Sequence, residues 1–231
     1  QQELGARDIQ DILSKAKTQV QYARTSTTTS TALRSLRDDL LQKEHEIVNN
    51  LNAQYQDYYI YGGNDISTAP FSLSADGTEF TFTHIFPGED TPETFKFKLT
   101  ENPNDGSYKF ELDLTGSSLT PSEAETKLRQ AMSEQGRIDL GYGSIRDKNT
   151  LLDTYTGGLN VLTGVSSDGI SLDPNDPIGG EASVADLLSK SPIALISQAV
   201  QSITKYSSAK ESYENGTQGA PGVPTTEEMD K

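Results

Sequence analysis

Hydrophobic residues recur at helical spacing in the segment that begins at Leu33. Leu33, Leu36, Leu40, Ile47 and Leu51 are separated by three, four, seven and four residues, so they lie on one stripe of a helix. If this helix continues into the tyrosines that follow, its twenty-seven residues span about 40 Å at about 1.5 Å per residue. A helix of this kind buries its apolar stripe against other helices, and we therefore predict a rod of packed helices.

Two further segments have the same spacing of apolar residues and are the expected partners of that helix. One covers residues 7–24, and the other follows Ser191-Pro192, a cap and first turn. The hydroxyl-rich stretch 25–31 connects the first two helices, with Ser30 or Thr31 as the expected N-cap. The predicted core seam of the rod consists of Ile9, Ile12, Leu13, Ala16, Val20, Leu33, Leu36, Leu40, Ile47, Leu51, Ile196, Val200 and Ile203.

Between the helical segments the period of the apolar residues changes to two, which indicates strands with one buried face. Glycine-containing turns at 75–78 and 102–106 are expected to join these strands as hairpins. Thr120 and Pro121 open one short helix that runs through Met132. The alternating residues are Phe71, Leu73, Phe80, Phe82, Phe95, Phe97, Leu99, Tyr108, Phe110, Leu112 and Leu114, and a further strand carries Ile138, Leu140 and Tyr142.

We predict an α+β fold in which a mostly antiparallel β domain is inserted into an elongated, coiled-coil-like helical domain. Residues 1–63 and 165–231 form the discontinuous helical rod, and residues 64–164 form the β domain with its short helix. The absence of an initiator methionine and of a cap at the first helix leads us to expect a fragment of a longer protein, truncated at both ends. The expected transition from rod to β domain consists of Tyr55, Tyr59, Tyr61, Gly62 and Gly63.

The composition excludes several classes of partner. The 19 basic and 34 acidic residues give a formal charge of −15, so a nucleic acid or an anionic membrane surface would repel the chain. Cysteine is absent, which rules out disulfides and thiolate chemistry. The sequence has no apolar run of 18 residues and no cleavable signal peptide.

The sequence lacks the signatures of the common enzyme and metal sites, and we predict no catalytic, cofactor or metal residue. The HExxH, GxSxG, GxGxxG and Walker A spacings do not occur. His45 is expected on a solvated helix face, and His84 has no second histidine near it. The acidic stretch 173–177 departs from the EF-hand order and favours a turn, although weak calcium binding there stays open. Glu111 and Asp113 alternate with leucines and are expected on the wet face of a strand.

Several stretches resemble flagellin-type axial proteins of the bacterial flagellum. Residues 12–17 and 51–63 are similar to the first and second rod helices, the latter written in that family roughly as A-N-x-Q-Y-x-G-R-Y-L/I-F-G/S-G. The Pro-Phe pair within 69–71 is also part of that pattern. Residues 137–143 and 153–164 are similar to its return segment, I-x-I/L-G-x-G followed by F-D-T-x-x-x-G-L/I-N-x-L-G-x-G. The matches cover most of 9–71 and 137–205, and they most resemble the hook–filament junction branch of the family.

This resemblance implies a structural protein of the flagellum that adapts the hook to the filament for swimming motility. It implies a location outside the cell after export without a cleaved signal peptide. The implied partners are a second hook-associated protein, flagellin, further copies of the same protein in a ring, and an export chaperone. The fragment itself is expected to be monomeric, because the resemblance places the polymerising segments beyond its ends.

The chain departs from the family pattern at two positions of the second motif. Asp57-Tyr58 stands where the family favours Gly-Arg, and the role of that arginine is therefore not transferred to this chain. The polar positions between the seam residues of the second helix are candidates for contact with a neighbouring subunit through complementary charge. This possible intersubunit face consists of Arg34, Arg37, Asp38, Lys43 and Glu44, and an ordinary solvated face is the alternative. Two alternative functions stay open, a flagellin filament subunit and a surface-exposed binding or adhesin module on a helical stalk.

Overall fold

A computed structural model describes residues 2–23, 29–134, 136–139 and 151–215 of the chain. Three long helices dominate the described part, and each of them contacts the other two. In the sequence, the short helices come between the second and the third long helix. In chain order the helices are α1 (Gln2–Ala23), α2 (Ser30–Leu51), α3 (Pro121–Ser133), α4 (Gly158–Thr163), α5 (Val184–Leu188) and α6 (Pro192–Glu214).

The predicted seam residues lie in the core between α1, α2 and α6. Helices α2 and α6 form the most extensive pair, and α1 packs chiefly on α2 and also contacts α6. Apolar stripes facing one another remove the leucine and isoleucine side chains from water, which stabilises each by about 1.5–3 kcal/mol. Ile9, Ile12, Ala16, Leu33, Leu40, Ile47, Leu51, Ile196, Val200 and Ile203 are buried, and Leu13, Val20 and Leu36 are partly buried against them.

Helix α2 is shorter than the sequence indicated and has a different N-cap. The N-cap is Thr29, whose side chain accepts a hydrogen bond from the backbone N–H of Ala32 at 3.2 Å, and the expectation of Ser30 or Thr31 was wrong by one or two residues. The helix ends at Leu51, so its 22 residues span about 33 Å rather than about 40 Å. It ends there because Asn52 bonds to the backbone of Phe71, which turns the chain towards the sheet.

The alternating segment forms a four-stranded antiparallel sheet in the order β3-β4-β5-β6. The glycine turns predicted at 75–78 and 102–106 are confirmed. Gly77 and Gly106 have φ angles of 72° and 71°, the left-handed conformation for which glycine was expected. Phe71, Phe80, Phe82, Phe95, Phe97 and Phe110 fill the buried face of this sheet, and Glu111 pairs with Lys109 on the wet face. The eight described strands are β1 (Gln54–Tyr55), β2 (Tyr58–Tyr59), β3 (Phe71–Leu73), β4 (Glu79–His84), β5 (Glu93–Glu101), β6 (Tyr108–Asp113), β7 (Gly136–Asp139) and β8 (Leu151–Tyr155).

Helix α3 begins with the predicted capping box. The Thr120 hydroxyl accepts from the backbone of Glu123, and the Glu123 carboxylate accepts from the backbone N–H of Thr120 at 2.8 Å. Ile138 lies in β7, which pairs antiparallel with β8. The predicted strand residues Leu140 and Tyr142, the end of the 137–143 motif and residues 216–231 lie outside the described residues.

The helices and the sheet share one hydrophobic core. Strand β3 contacts α2, strands β5 and β6 contact α6, and β6 also contacts α5. The inserted segment 64–164 therefore packs directly on the helices along part of its length. The architecture is α+β with antiparallel sheets, as the pattern of the chain predicted.

Candidate functional site at the junction of helices and sheet

The chain leaves α2 through a two-residue hairpin whose turn requires left-handed backbone. Tyr55 pairs with Tyr58 across β1 and β2, and the turn residues Gln56 and Asp57 have φ angles of 51° and 68°. Positive φ at both central residues is the geometry of a type I′ turn, in which the second position favours glycine. Aspartate at this second position tolerates the left-handed conformation better than most residues other than glycine. Tyr55 and Tyr58 are 51% and 55% exposed.

The glycines that follow the hairpin allow close approaches of backbone and side chain. A Cβ on Gly62 would lie 2.0 Å from the backbone oxygen of Asp65, and Gly63 has a φ of 69°. Tyr61 precedes them, buried against α1, and a Cβ on Gly5 would lie 2.4 Å from the Tyr61 hydroxyl. Burial, and then the charge of Asp8, raise the pKa of Tyr61. The predicted transition residues thus divide into an exposed hairpin and a buried turn.

The two stretches that carry the family resemblance contact each other at this turn. The backbone N–H of Gly158, at the start of α4, donates to the carbonyl oxygen of Tyr61 at 2.9 Å. A Cβ on Gly158 would lie 2.3 Å from Cε2 of Phe71, so the ring packs directly on the glycine backbone. Residues almost a hundred positions apart therefore form one packing unit, which joins the end of α2 to the sheet and to α4.

Two asparagines tie this unit to its surroundings. The Asn52 side chain donates to the carbonyl of Phe71 at 2.7 Å and accepts from its N–H at 3.0 Å. The Asn160 amide nitrogen donates to the carbonyls of Met132 and Val165 at 3.0 and 2.9 Å. Asn160 satisfies a carbonyl that the end of α3 leaves without a helical partner. Asn52 instead pairs with the backbone at the start of β3, an edge strand, and both asparagines act as structural ties.

Buried acidic groups complete the junction. One oxygen of Glu134 lies 3.1 Å from Nε2 of His84, and the other accepts from the backbone N–H of Asn64 at 3.0 Å. Asp65 accepts from the backbone N–H of Ile85 at 3.0 Å and from neighbouring residues of its own loop. Burial raises the pKa of Asp65, but the hydrogen bonds outweigh it and the pKa lies below its ordinary value. His84 is thus a packed core residue with one carboxylate partner.

A second buried pair lies on α3. Arg129 is fully buried and donates from Nε to Glu125 at 2.7 Å. Its guanidinium also donates to the carbonyls of Ser171 and Ala182, at 3.3 and 3.4 Å, and Glu125 accepts from the backbone N–H of Val184. The pair therefore joins α3 to the loop before α5. The pair was not among the predicted site residues, although a glutamate and an arginine at i and i+4 on an otherwise apolar helix face indicate such an ion pair.

The structure changes the candidate intersubunit face. Arg34 forms an ion pair with Glu211 of α6, which connects two helices of the same molecule. Arg37 pairs with its neighbour Asp38 at 2.6 Å, and Lys43 pairs with Asp39 at 3.0 Å. The inclusion of Glu44 in this face was wrong, because this residue is fully buried between helices.

Glu44 is instead buried where α2 packs on α6. It contacts the hydroxyl of Ser197 on α6, and a Cβ on Gly77 would lie 2.6 Å from its Oε2. Burial raises the pKa of Glu44 from 4.5 to about 8; the Ser197 contact opposes this shift, and the charge of Asp76 adds to it. The position lies four residues after Leu40 and three before Ile47, on the seam itself. Its spacing therefore indicated burial, and its charge obscured that signal.

The acidic loop after α4 is held by its own hydrogen bonds. The Asp173 carboxylate accepts from the backbone and side chain of Asn175 at 2.9 Å, in the turn that the sequence favoured. Within the described ranges, no group of three or more histidine and acidic side chains is placed to hold a metal ion. In the same residues, no helix combines the length and apolar character needed to cross a membrane.

Comparisons with protein-family models, with curated proteins and with solved structures found no match to this chain.

Proposed function

We propose that the chain is a structural component of the bacterial flagellum and resembles the hook–filament junction protein (FlgL) of the flagellin family. The observation that carries this proposal is the contact between the two motif stretches. Residues 51–63 with 69–71 and residues 153–164 carry the resemblance in the sequence, and these stretches meet through Tyr61, Phe71 and Gly158. If the similarity of the two stretches to the family were due to chance, there would be no reason to expect them to pack on each other. Their contact therefore supports the resemblance.

The arrangement of the elements is also suited to an axial protein. Helix α2 contacts both α1 and α6, and the sheet is inserted in the chain between α2 and α6. In the proposed protein these helices belong to a longer flagellin-like rod with coiled-coil packing, and the sheet lies on the outside of the ring. Helices of this length, with apolar seams and hydrogen-bonded side chains between them, resist the bending that torque transmission imposes.

The proposed assembly contains several copies of the protein in a ring between hook and filament. The ring contacts a second hook-associated protein on one side and flagellin on the other, after export by a chaperone-assisted route without a cleaved signal peptide. In each copy, the Arg34–Glu211 pair holds α2 on α6. Arg37 and Asp38, on the exposed side of α2, are left as the candidate contacts to a neighbour, with Lys43 at the edge of this surface.

Deletion of the encoding gene in the source bacterium tests the proposal. A junction protein predicts hooks without filaments, with unpolymerised flagellin released into the medium, and restoration of both by the full-length gene. Loss of the most abundant filament protein would instead identify a flagellin subunit. Normal filaments and swimming, with loss of binding to a surface or host molecule, would identify an adhesin module and overturn the proposal.

The intersubunit face is tested separately by charge reversal in the full-length protein. Arg37→Glu is expected to impair filament assembly, because it places a like charge beside Asp38 on the proposed contact surface. Lys109→Glu is the matched control, since Lys109 is an exposed lysine that pairs with Glu111 on the wet face of the sheet. Equal assembly of the two variants would refute the assignment of this face, while the flagellar role would still be decided by the deletion.

A further inference from the structure

A small cavity lies at the junction where β4, α3, α4 and the Gly62–Gly63 turn meet. Its volume is about 10 Å³, and its lining includes His84 and Asn160. These two side chains are 1% and 3% exposed. A volume of about 10–15 Å³ on this measure accommodates one water molecule.

Each of these side chains presents one buried polar atom that has no hydrogen-bond partner within the described part of the chain. The atoms are Nδ1 of His84 and Oδ1 of Asn160. A buried polar atom that makes no hydrogen bond destabilises the folded state, so native proteins rarely leave two of them at one site.

The chemistry of the two atoms excludes a direct bond between them. One oxygen of the Glu134 carboxylate accepts from the backbone N–H of Asn64, and the other lies next to Nε2 of His84. Because a carboxylate oxygen is an acceptor, Nε2 is the ring nitrogen that carries the proton. Nδ1 of the neutral ring is then an acceptor. Oδ1 of Asn160 is an acceptor too, because its amide nitrogen is identified by the two carbonyls to which it donates. Two acceptors require a molecule with two donors between them.

We propose that this cavity is a binding site for one structural water molecule, which donates one hydrogen bond to Nδ1 of His84 and the other to Oδ1 of Asn160. The water bridges β4 and α4, beside the contact of Gly158 with Tyr61 and Phe71. The inference rests on the packing of the junction and does not depend on the flagellar role.

A crystal structure of the chain at a resolution that shows ordered water tests the proposal directly. The expected result is a single density peak within hydrogen-bond distance of both atoms. An empty cavity, or a water that bonds to only one of the two atoms, overturns the proposal.

A solution measurement on a matched variant gives an independent test. Gly157 lines the cavity with an ordinary φ of −63°, and a Cβ added there would lie 3.0 Å from Oδ1 of Asn160. Gly157→Ala therefore places a methyl group beside Oδ1, in the space of the water. Water magnetic relaxation dispersion on both proteins is expected to count one fewer long-lived water in the variant. An equal count in two folded proteins contradicts the assignment, and if the variant does not fold, the wild-type crystal structure decides.

Discussion

Replacement of Glu44 by glutamine is expected to stabilise the protein above pH 5, by an amount that grows with pH. The pKa of this carboxyl is about 8 in the folded chain against an ordinary value of 4.5, because the side chain is buried between α2 and α6. Below pH 4.5 the carboxyl is protonated in both folded and unfolded chains. Between pH 4.5 and pH 8 the unfolded chain releases the proton and the folded chain retains it. The stability present at low pH is therefore lost as the pH rises through this window.

The magnitude follows from the size of the pKa shift. Each unit corresponds to about 1.4 kcal/mol, so the wild type loses about 3 kcal/mol between pH 4.5 and pH 7, and about 4 kcal/mol between pH 4.5 and pH 8, both to order of magnitude. A glutamine at this position has no proton to lose, and its amide oxygen can accept from the Ser197 hydroxyl as Oε1 of Glu44 does.

Denaturant unfolding at pH 4.5, 6, 7 and 8 measures this effect for the wild type, Glu44→Gln and Glu46→Gln. Glu46 lies two positions further along the same helix and is exposed, so its replacement makes the same chemical change without the burial. The unfolding free energy of Glu44→Gln should exceed that of the wild type by a margin that increases up to pH 8, while Glu46→Gln stays parallel to the wild type. A constant difference between Glu44→Gln and the wild type at all four pH values would refute the reasoning.

Three further predictions concern the junction, and all are measured by denaturant unfolding. Asp57→Gly should raise the unfolding free energy by up to about 1 kcal/mol, because glycine adopts a φ of 68° without strain; no gain over the control Asp90→Gly would contradict this. Gly158→Ala should lower it by about 1–3 kcal/mol, since the added Cβ overlaps the Phe71 ring. The addition of Phe71→Leu should recover part of that loss, and a larger loss in the double variant would show that the overlap is not the cause. Asn52→Ala should lower the unfolding free energy by about 2 kcal/mol, because it removes both hydrogen bonds to the Phe71 backbone. The backbone amide of Phe71 should then exchange its hydrogen faster, and an unchanged exchange rate would contradict the proposed tie.

Local sequence rules predicted the repeating elements because their causes are local. The three- and four-residue spacing around Leu40 and Ile47 can bury only one helix face, and the alternation around Phe80 can bury only one strand face. The capping box at Thr120 also depends on residues within one turn of the helix. These predictions were confirmed at Leu40, Ile47, Phe80 and Thr120, whereas the N-cap of α2 was displaced to Thr29.

Tertiary structure decided the features that depend on distant partners. Helix α2 ends at Leu51 because Asn52 meets Phe71, nineteen positions away, and no local pattern reports that contact. The burial of Glu44 was indicated by its spacing, but only the approach of Ser197, 153 positions away, shows how its carboxyl is accommodated. Likewise His84 acquires its role from Glu134, fifty positions further along the chain. The sequence by itself determined which faces are apolar and where the chain turns. The folded chain decided which polar groups are buried between those faces. A buried charge or hydrogen-bonding group is stable only when a partner lies next to it, and here those partners come from distant parts of the sequence.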